Sequence, residues 1–226
     1  MPVAIITGAS RGLGLALARS LADDGWSLIL DARGAGALHA AARQLGTAAV
    51  ALPGDVTDPA HRRALVDAAG PRLDLLVNNA GILGPSPQPE LASYPLDVLD
   101  DVFRVNVHAP LALAQLALPR LADGGVILNI TSDASVFPYE GWGGYGSAKA
   151  ALDQLTAVLA AENPRLRIYA ADPGDMRTQM HQEAFPGEDI CDRPLPEESV
   201  PGLLGLIRGD IPSGRYRAAD TSEVAA

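Results

Sequence analysis

The sequence predicts an α/β protein, a single doubly wound parallel sheet of about seven strands with helices on both faces. Three observations carry this. Apolar, β-rich runs alternate with helix-period segments along most of the 226 residues, the pattern of repeated strand–helix–strand units. Several of the strand runs are apolar without alternation, as strands covered on both faces require. A glycine-rich turn, Thr7-Gly8-Ala9-Ser10-Arg11-Gly12-Leu13-Gly14, joins the first strand to the first helix.

In chain order, Val3–Thr7 is the first strand and 12–24 the first helix. Ser27–Asp31 and Ala48–Leu52 read as strands, flanking a helix over 34–45. A helix over 58–69 starts near Asp58, with Asp55 available as its cap. Leu73–Asn78 is the fourth strand, followed by a long helix over 97–122 that contains Asn106 and Pro110. Gly125–Thr131, a helix over 145–162 and Arg167–Ala171 continue the alternation. Residues 175–200 break it: three prolines (Pro186, Pro194, Pro196) with Met176, Met180 and Phe185 indicate a long loop with one short helix, folded over something. A helix near 197–208 and a strand at Gly214–Ala218 close the fold, and Asp220–Ala226 reads as a loose tail.

Composition narrows the function. Hydrophobic residues make up 48% and aromatics 4%, so the core is mostly Ala, Val, Leu and Ile. The formal net charge is −10, and no basic run is present, which excludes nucleic acid or an anionic membrane as an expected partner. The longest uncharged apolar stretch, Val105–Pro119, is broken by His108, Pro110 and Gln115 and is too short to span a bilayer. No charged segment leads into an apolar leader at Met1. Cys191 stands alone, so neither an internal disulfide nor a cysteine metal cage is possible, and His39, His61 and His108 have no metal-ligand spacing. The expectation is one cytoplasmic domain over 1–226 with 175–200 as its substrate-binding loop.

The basic residues are skewed: one lysine, Lys149, against 16 arginines. A chain that uses Arg wherever the two are interchangeable has kept an ammonium at this position. Lys149 follows Tyr145 by four residues in Tyr145-Gly146-Ser147-Ala148-Lys149, so on a helix both side chains share a face. A compact ammonium there bonds ribose-like hydroxyls and draws down the pKa of a nearby phenol, and a guanidinium does not simply replace it. The glycine turn, placed between strand and helix, lets a pyrophosphate approach backbone amides at a positive helix end.

Together these residues resemble the classical short-chain dehydrogenase/reductase family over nearly the whole chain. The Gly8-x-x-x-Gly12-x-Gly14 turn is followed in family order by Asp55-Val56, Asn78-Asn79-Ala80-Gly81, Asn106, Ser132, Tyr145 with Lys149, Pro173-Gly174 and Thr178. The resemblance implies a Rossmann-type fold, a nicotinamide cofactor, a small-molecule carbonyl or alcohol substrate and a homodimer or homotetramer. It implies that Gly8, Gly12 and Gly14 receive the pyrophosphate, with Ser10, Arg11 and Leu13 beside it. Asp55 and Val56 would hold the adenine, Asn79 would support the central strand, and Ala80 and Gly81 would flank a ribose. Pro173, Gly174 and Thr178 would face the nicotinamide.

The second strand's end bears on the choice between NAD and NADP. It reads Leu30-Asp31-Ala32-Arg33, and counting from Gly14 the family's discriminating acid falls at Ala32. Successive strand side chains face opposite ways, so Asp31 should point away from the ribose, leaving Arg33 and Arg11 to bracket a 2′-phosphate. NADP is therefore favoured over NAD, and a slip of one residue reverses the choice.

For chemistry, Tyr145 supplies or takes the carbonyl proton, Lys149 and the oxidised nicotinamide lower its pKa from ~10, and Ser132 bonds the same oxygen. Pro110 lacks the N–H that would bond the Asn106 carbonyl, and in the family a carbonyl at this position holds a water that relays protons. The catalytic set is thus Asn106, Ser132, Tyr145 and Lys149. Asp133, Phe137, Tyr139, Trp142, Met176, Met180, His181 and Phe185 are the candidate pocket residues. Two rivals stand beside this reading: a tailoring enzyme on the same site without net redox, and a cofactor-binding regulatory protein that has no need of the phenol.

Overall fold

The computed structural model describes residues 1–222. Its first half runs β1 (Val3–Ile6), α1 (Gly12–Asp23), β2 (Ser27–Ala32), α2 (Ala35–Leu45), β3 (Ala49–Pro53), α3 (Pro59–Ala68) and β4 (Leu73–Asn78). The second half runs α4 (Leu96–Phe103), a π-helical turn (Arg104–His108), α5 (Ala109–Ala117), β5 (Leu121–Ile130) and α6 (Gly143–Glu162). Then come β6 (Arg167–Asp172), α7 (Gln179–Ala184), α8 (Val200–Arg208) and β7 (Gly214–Arg217). The 7-stranded sheet has the order β3-β2-β1-β4-β5-β6-β7, and every neighbouring pair is parallel. Among the described residues no helix is long and apolar enough to cross a membrane.

Strand alternation divides the core into two layers. Ile6, Leu28, Leu30 and Ala32 face one layer with Leu13, Leu17, Leu21, Leu38 and Leu203, which come from α1, α2 and α8. Ile5, Ile29, Leu76 and Ile127 face the other, with Leu65, Leu113 and Leu159 from α3, α5 and α6. Both faces of the central strands are thereby removed from water, which explains why their apolar runs do not alternate with polar residues.

Three local expectations are corrected. The long helix does not run over 97–122: it ends at Ala117, and residues 121–122 already belong to β5. Pro119 explains this, because it removes a helix donor and disfavours helical geometry at the residue before it. The cap of α3 is Asp58 itself, which accepts the Ala60 N–H at 2.8 Å, while Asp55 turns back on Thr57. The tail is not loose at its start: Thr221 is 3% exposed and its hydroxyl donates to the Gly202 carbonyl at 2.8 Å. Residues 223–226 of that expected tail lie outside the described residues.

Candidate active site

The crossovers reverse direction between β1 and β4, which leaves a crevice at the carboxyl ends of the strands, the place where doubly wound sheets bind ligands. The glycine turn opens onto it. Gly8 and Gly12 have φ of +67° and +56°, conformations that side-chain-bearing residues rarely adopt. A Cβ on Gly14 would fall 2.6 Å from both Asn79 Nδ2 and the Gly8 carbonyl oxygen. Asn79 Nδ2 donates to the Thr7 and Gly8 carbonyls at 2.9 and 3.2 Å, and the Thr7 hydroxyl accepts the N–H groups of Asn79 and Ala80 at 3.0 Å each. Asn79 therefore braces the turn and the end of β1. Arg11 at the N-cap of α1 makes no side-chain cap, and no acidic residue occupies the first turn. The N–H groups at this helix end, together with the left-handed backbone at Gly12, fit the pyrophosphate of a dinucleotide. Ser10 and Leu13 lie on the same turn. Arg11 is bonded to Gln179, and Arg33 is exposed.

The second half of the crevice gathers the candidate catalytic residues. α6 carries Tyr145 and Lys149 one turn apart, with Lys149 Nζ 5.5 Å from the centre of the Tyr145 ring. Lys149 is 4% exposed and donates to the Ile130 carbonyl at 2.7 Å. Asn106 is buried in the π-helical turn; its Oδ1 accepts from Ile82 N at 2.9 Å and its Nδ2 donates to Ile82 O at 2.8 Å. π-helical turns of this kind are frequent at functional sites. Gly81 lies where a Cβ would be 3.2 Å from Asn106 Oδ1 and 3.9 Å from Lys149 Nζ, so the three positions share one wall. Ser132 opens the short turn after β5; its hydroxyl donates to Asp133 Oδ1 at 3.1 Å and accepts from Ala134 N at 3.2 Å. Ala134 in turn packs on Tyr145.

The protein's own groups push the Tyr145 phenol well above the usual tyrosine value, whereas the expected lowering involves Lys149 together with the oxidised nicotinamide. Burial is the largest cause, and the carboxylates of Asp172 and Asp133 add to it. Lys149 itself is lowered to about 8, because burial disfavours the ammonium, with Asp153 partly opposing this. In this form Tyr145 is protonated at neutral pH and equipped to give a proton.

The predicted pocket residues separate into two sets. Trp142 stacks edge-on with Tyr145 at 5.9 Å and lies at the same distance from Phe185. Met180 packs on the cluster of Leu83, Ala134 and Tyr145, and His181 lies 4.9 Å from Phe185. Tyr139 donates to Asp133 Oδ2 at 2.8 Å, with Phe137 beside it at 6.2 Å. Met176 does not join them; it packs into the core layer of α1 and α8, since the chain after Pro173 dips back toward that layer. Asp55 holds the Thr57 N–H and hydroxyl at 2.8 and 2.7 Å. Val56 is buried beside it, with its carbonyl bonded by Arg62 at 2.6 Å. Gly174 follows Pro173 with its N–H on Asp172 at 3.0 Å, and Thr178 caps α7 through the His181 N–H at 3.2 Å. The Thr178 methyl would be 3.6 Å from a Cβ on Gly12, so the loop after β6 closes over the glycine turn.

Sequence reasoning missed Arg215. From β7 it donates to the Ser132 carbonyl at 3.0 Å, to Asp172 Oδ2 at 3.2 Å and to Asp153 Oδ2 at 3.0 Å. It fixes the backbone of Ser132 and compensates a carboxylate that raises the Tyr145 phenol. Replacing Arg215 by Met is expected to cost about 2 kcal/mol, less than a fully buried pair because the arginine is partly exposed, and to lower the melting temperature by roughly 4–8 °C. A melting curve within about 1 °C of the wild type would remove Arg215 as the anchor.

The comparisons with known proteins agree with this geometry. The family model described as short chain dehydrogenase matches residues 2–189. An uncharacterized oxidoreductase of Methylorubrum extorquens is 34% identical over 92% of this chain and 90% of its own length. An Escherichia coli short chain dehydrogenase solved in complex with NADPH superimposes with a TM-score of 0.89 at 31% identity, covering 96% of each chain. An alcohol dehydrogenase of the archaeon Thermococcus sibiricus, complexed with 5-hydroxy-NADP, gives a TM-score of 0.85 at 29% identity, covering 96% of this chain and 95% of the other. With the glycine turn, the Ser132, Tyr145 and Lys149 cluster and the parallel sheet in place, the match over nearly the whole chain shows that this protein is an oxidoreductase of the short-chain dehydrogenase family.

Proposed function

We propose that the protein is an NADPH-dependent reductase of ketones or aldehydes, working reversibly on the corresponding alcohols. The observation that carries this reading is Tyr145: a buried phenol, held protonated, on one helix face with a buried lysine and beside the Ser132 turn. When bound, the nicotinamide cofactor supplies the hydride. The chain's own residues do the rest. Ser132 donates a hydrogen bond to the substrate oxygen, turning its hydroxyl from Asp133 toward the growing negative charge. Tyr145 gives its phenolic proton to that oxygen. Lys149 binds the cofactor ribose and stabilises the phenolate left on Tyr145. Trp142, Met180 and Phe185 exclude water from the reacting carbon. Asn106 clamps Ile82 and so fixes the wall that contains Gly81.

The choice of NADPH is supported at the end of β2. Asp31 is turned to the α3 side, Ala32 occupies the discriminating position on the α1 side, and Arg33 is free at the surface. The NADPH-bound Escherichia coli neighbour is consistent with this. Titration of the purified protein with NADPH and with NADH, followed by nicotinamide fluorescence, tests it. Tighter binding of NADPH by about tenfold or more is expected, since Arg33 gains a phosphate partner only there. Tighter binding of NADH overturns the cofactor assignment, and binding of neither overturns the reductase reading.

A further inference from the structure

The carboxylate at the end of β2 is not idle. Leu28, Leu30 and Ala32 face the α1 layer, whereas Ile29 faces the α3 layer, and Asp31 follows Ile29. Asp31 is 1% exposed, and a carboxylate so buried needs partners. Its hydrogen-bond partner is His61, whose Nε2, from α3, lies 2.6 Å from Asp31 Oδ1. The Gly8 amide of the glycine turn also favours the carboxylate's charge. The arrangement is built for His61: its ring rests on Gly54, where any Cβ would fall 2.2 Å from Nδ1. Asp55, the candidate adenine residue, adds a second carboxylate nearby, and Arg33 and His61 both favour its charge. His61 therefore stands between two acids at the adenosine end of the crevice.

We propose that His61 is a positioning residue for cofactor specificity. By capturing the Asp31 carboxylate on the α3 side, it lets a strand that ends in an acid accept a 2′-phosphate beside Arg33. An uncaptured carboxylate at Asp31 would be a neighbour of the 2′-phosphate and would repel it. This inference rests on the NADPH reading and names the residue that holds the Asp31 carboxylate on the side to which strand alternation turns it.

The test is titration of NADPH and of NADH into the full chain, as wild type, His61→Leu, Asp31→Asn and the double variant. His61→Leu is expected to weaken NADPH about tenfold while changing NADH less than about threefold. The double variant, with no charge left to capture, is expected to restore NADPH to within about threefold of wild type. Asp31→Asn alone is expected to keep the wild-type preference, and it serves if His61→Leu does not fold. Equal weakening of both cofactors in His61→Leu, absence of rescue in the double variant, or a lost NADPH preference in Asp31→Asn would each overturn the proposal. A wild type that prefers NADH overturns the cofactor reading and this inference with it. A wild type that prefers NADPH, with a ratio that His61→Leu leaves fixed, overturns this inference alone.

Discussion

Tyr145→Phe is expected to lower kcat by about 10³-fold, roughly 4 kcal/mol of barrier, while the Kd for NADPH stays within about threefold. The substitution removes one oxygen from a ring whose packing against Trp142, Leu83 and Ala134 is unchanged. The melting temperature is therefore expected to stay within about 3 °C. What is lost is the proton donor. Burial and the charges of Asp172 and Asp133 keep the wild-type phenol protonated, so in the reductive direction the acid is ready before substrate arrives. Ser132 remains in the variant and still bonds the carbonyl oxygen, so some rate above the uncatalysed reaction persists. Steady-state kinetics with a panel of ketones and aldehydes checks this. A kcat within about tenfold of wild type would place the proton transfer elsewhere. Product formed without cofactor turnover would favour a redox-neutral tailoring reaction, and cofactor binding with no turnover of any kind would favour a binding protein.

The fold was legible because burial on two faces leaves a direct trace. Apolar runs without alternation mark β1, β2, β4 and β5, and the glycine turn marks the strand–helix junction that opens on the crevice. The Tyr145–Lys149 pair was legible for a similar reason: a helix puts residues four apart on one face whatever surrounds them. Other features depend on parts of the chain far apart in sequence. Arg215 reaches Ser132 from β7, and nothing in Gly214–Arg217 announces it. His61 read as an isolated histidine because its partner, Asp31, is 30 residues away on β2. Met176 was assigned to the cleft because of its loop, but the loop's path decides which side it packs on. The upward push on Tyr145 from the protein itself was not legible, because spacing shows the nearby lysine but not the depth of burial or the carboxylates opposite. The end of the long helix was written in Pro119, a signal outweighed by the apolar run around it.

Lys149→Arg is expected to fail almost as completely as Lys149→Met, each losing about 10²-fold or more in kcat/KM. Charge is not what separates the two residues. Lys149 is 4% exposed, with the Ile130 carbonyl at 2.7 Å as its protein partner and the Gly81 backbone close by. A guanidinium brings five N–H donors into a space that satisfies a few, and the remainder would be buried without acceptors. The single lysine of a chain otherwise committed to arginine thus has a structural reason to persist. Its burial also sets a pH limit. With the ammonium lowered to about 8, kcat/KM for the cofactor, which reports the free protein, is expected to fall as pH rises above about 8. The same shift acts on stability with the opposite sign. The unfolded chain keeps this proton up to about 10.5 and the folded one releases it near 8, so folding is favoured increasingly as pH climbs between the two. Activity and stability measured over one pH series therefore diverge above pH ~8 if Lys149 is the titrating group. In Lys149→Met the alkaline limb assigned to this ammonium disappears from both curves. A limb that survives in that variant belongs to another residue, and a Lys149→Arg variant within about fivefold of wild type would mean that charge alone is required.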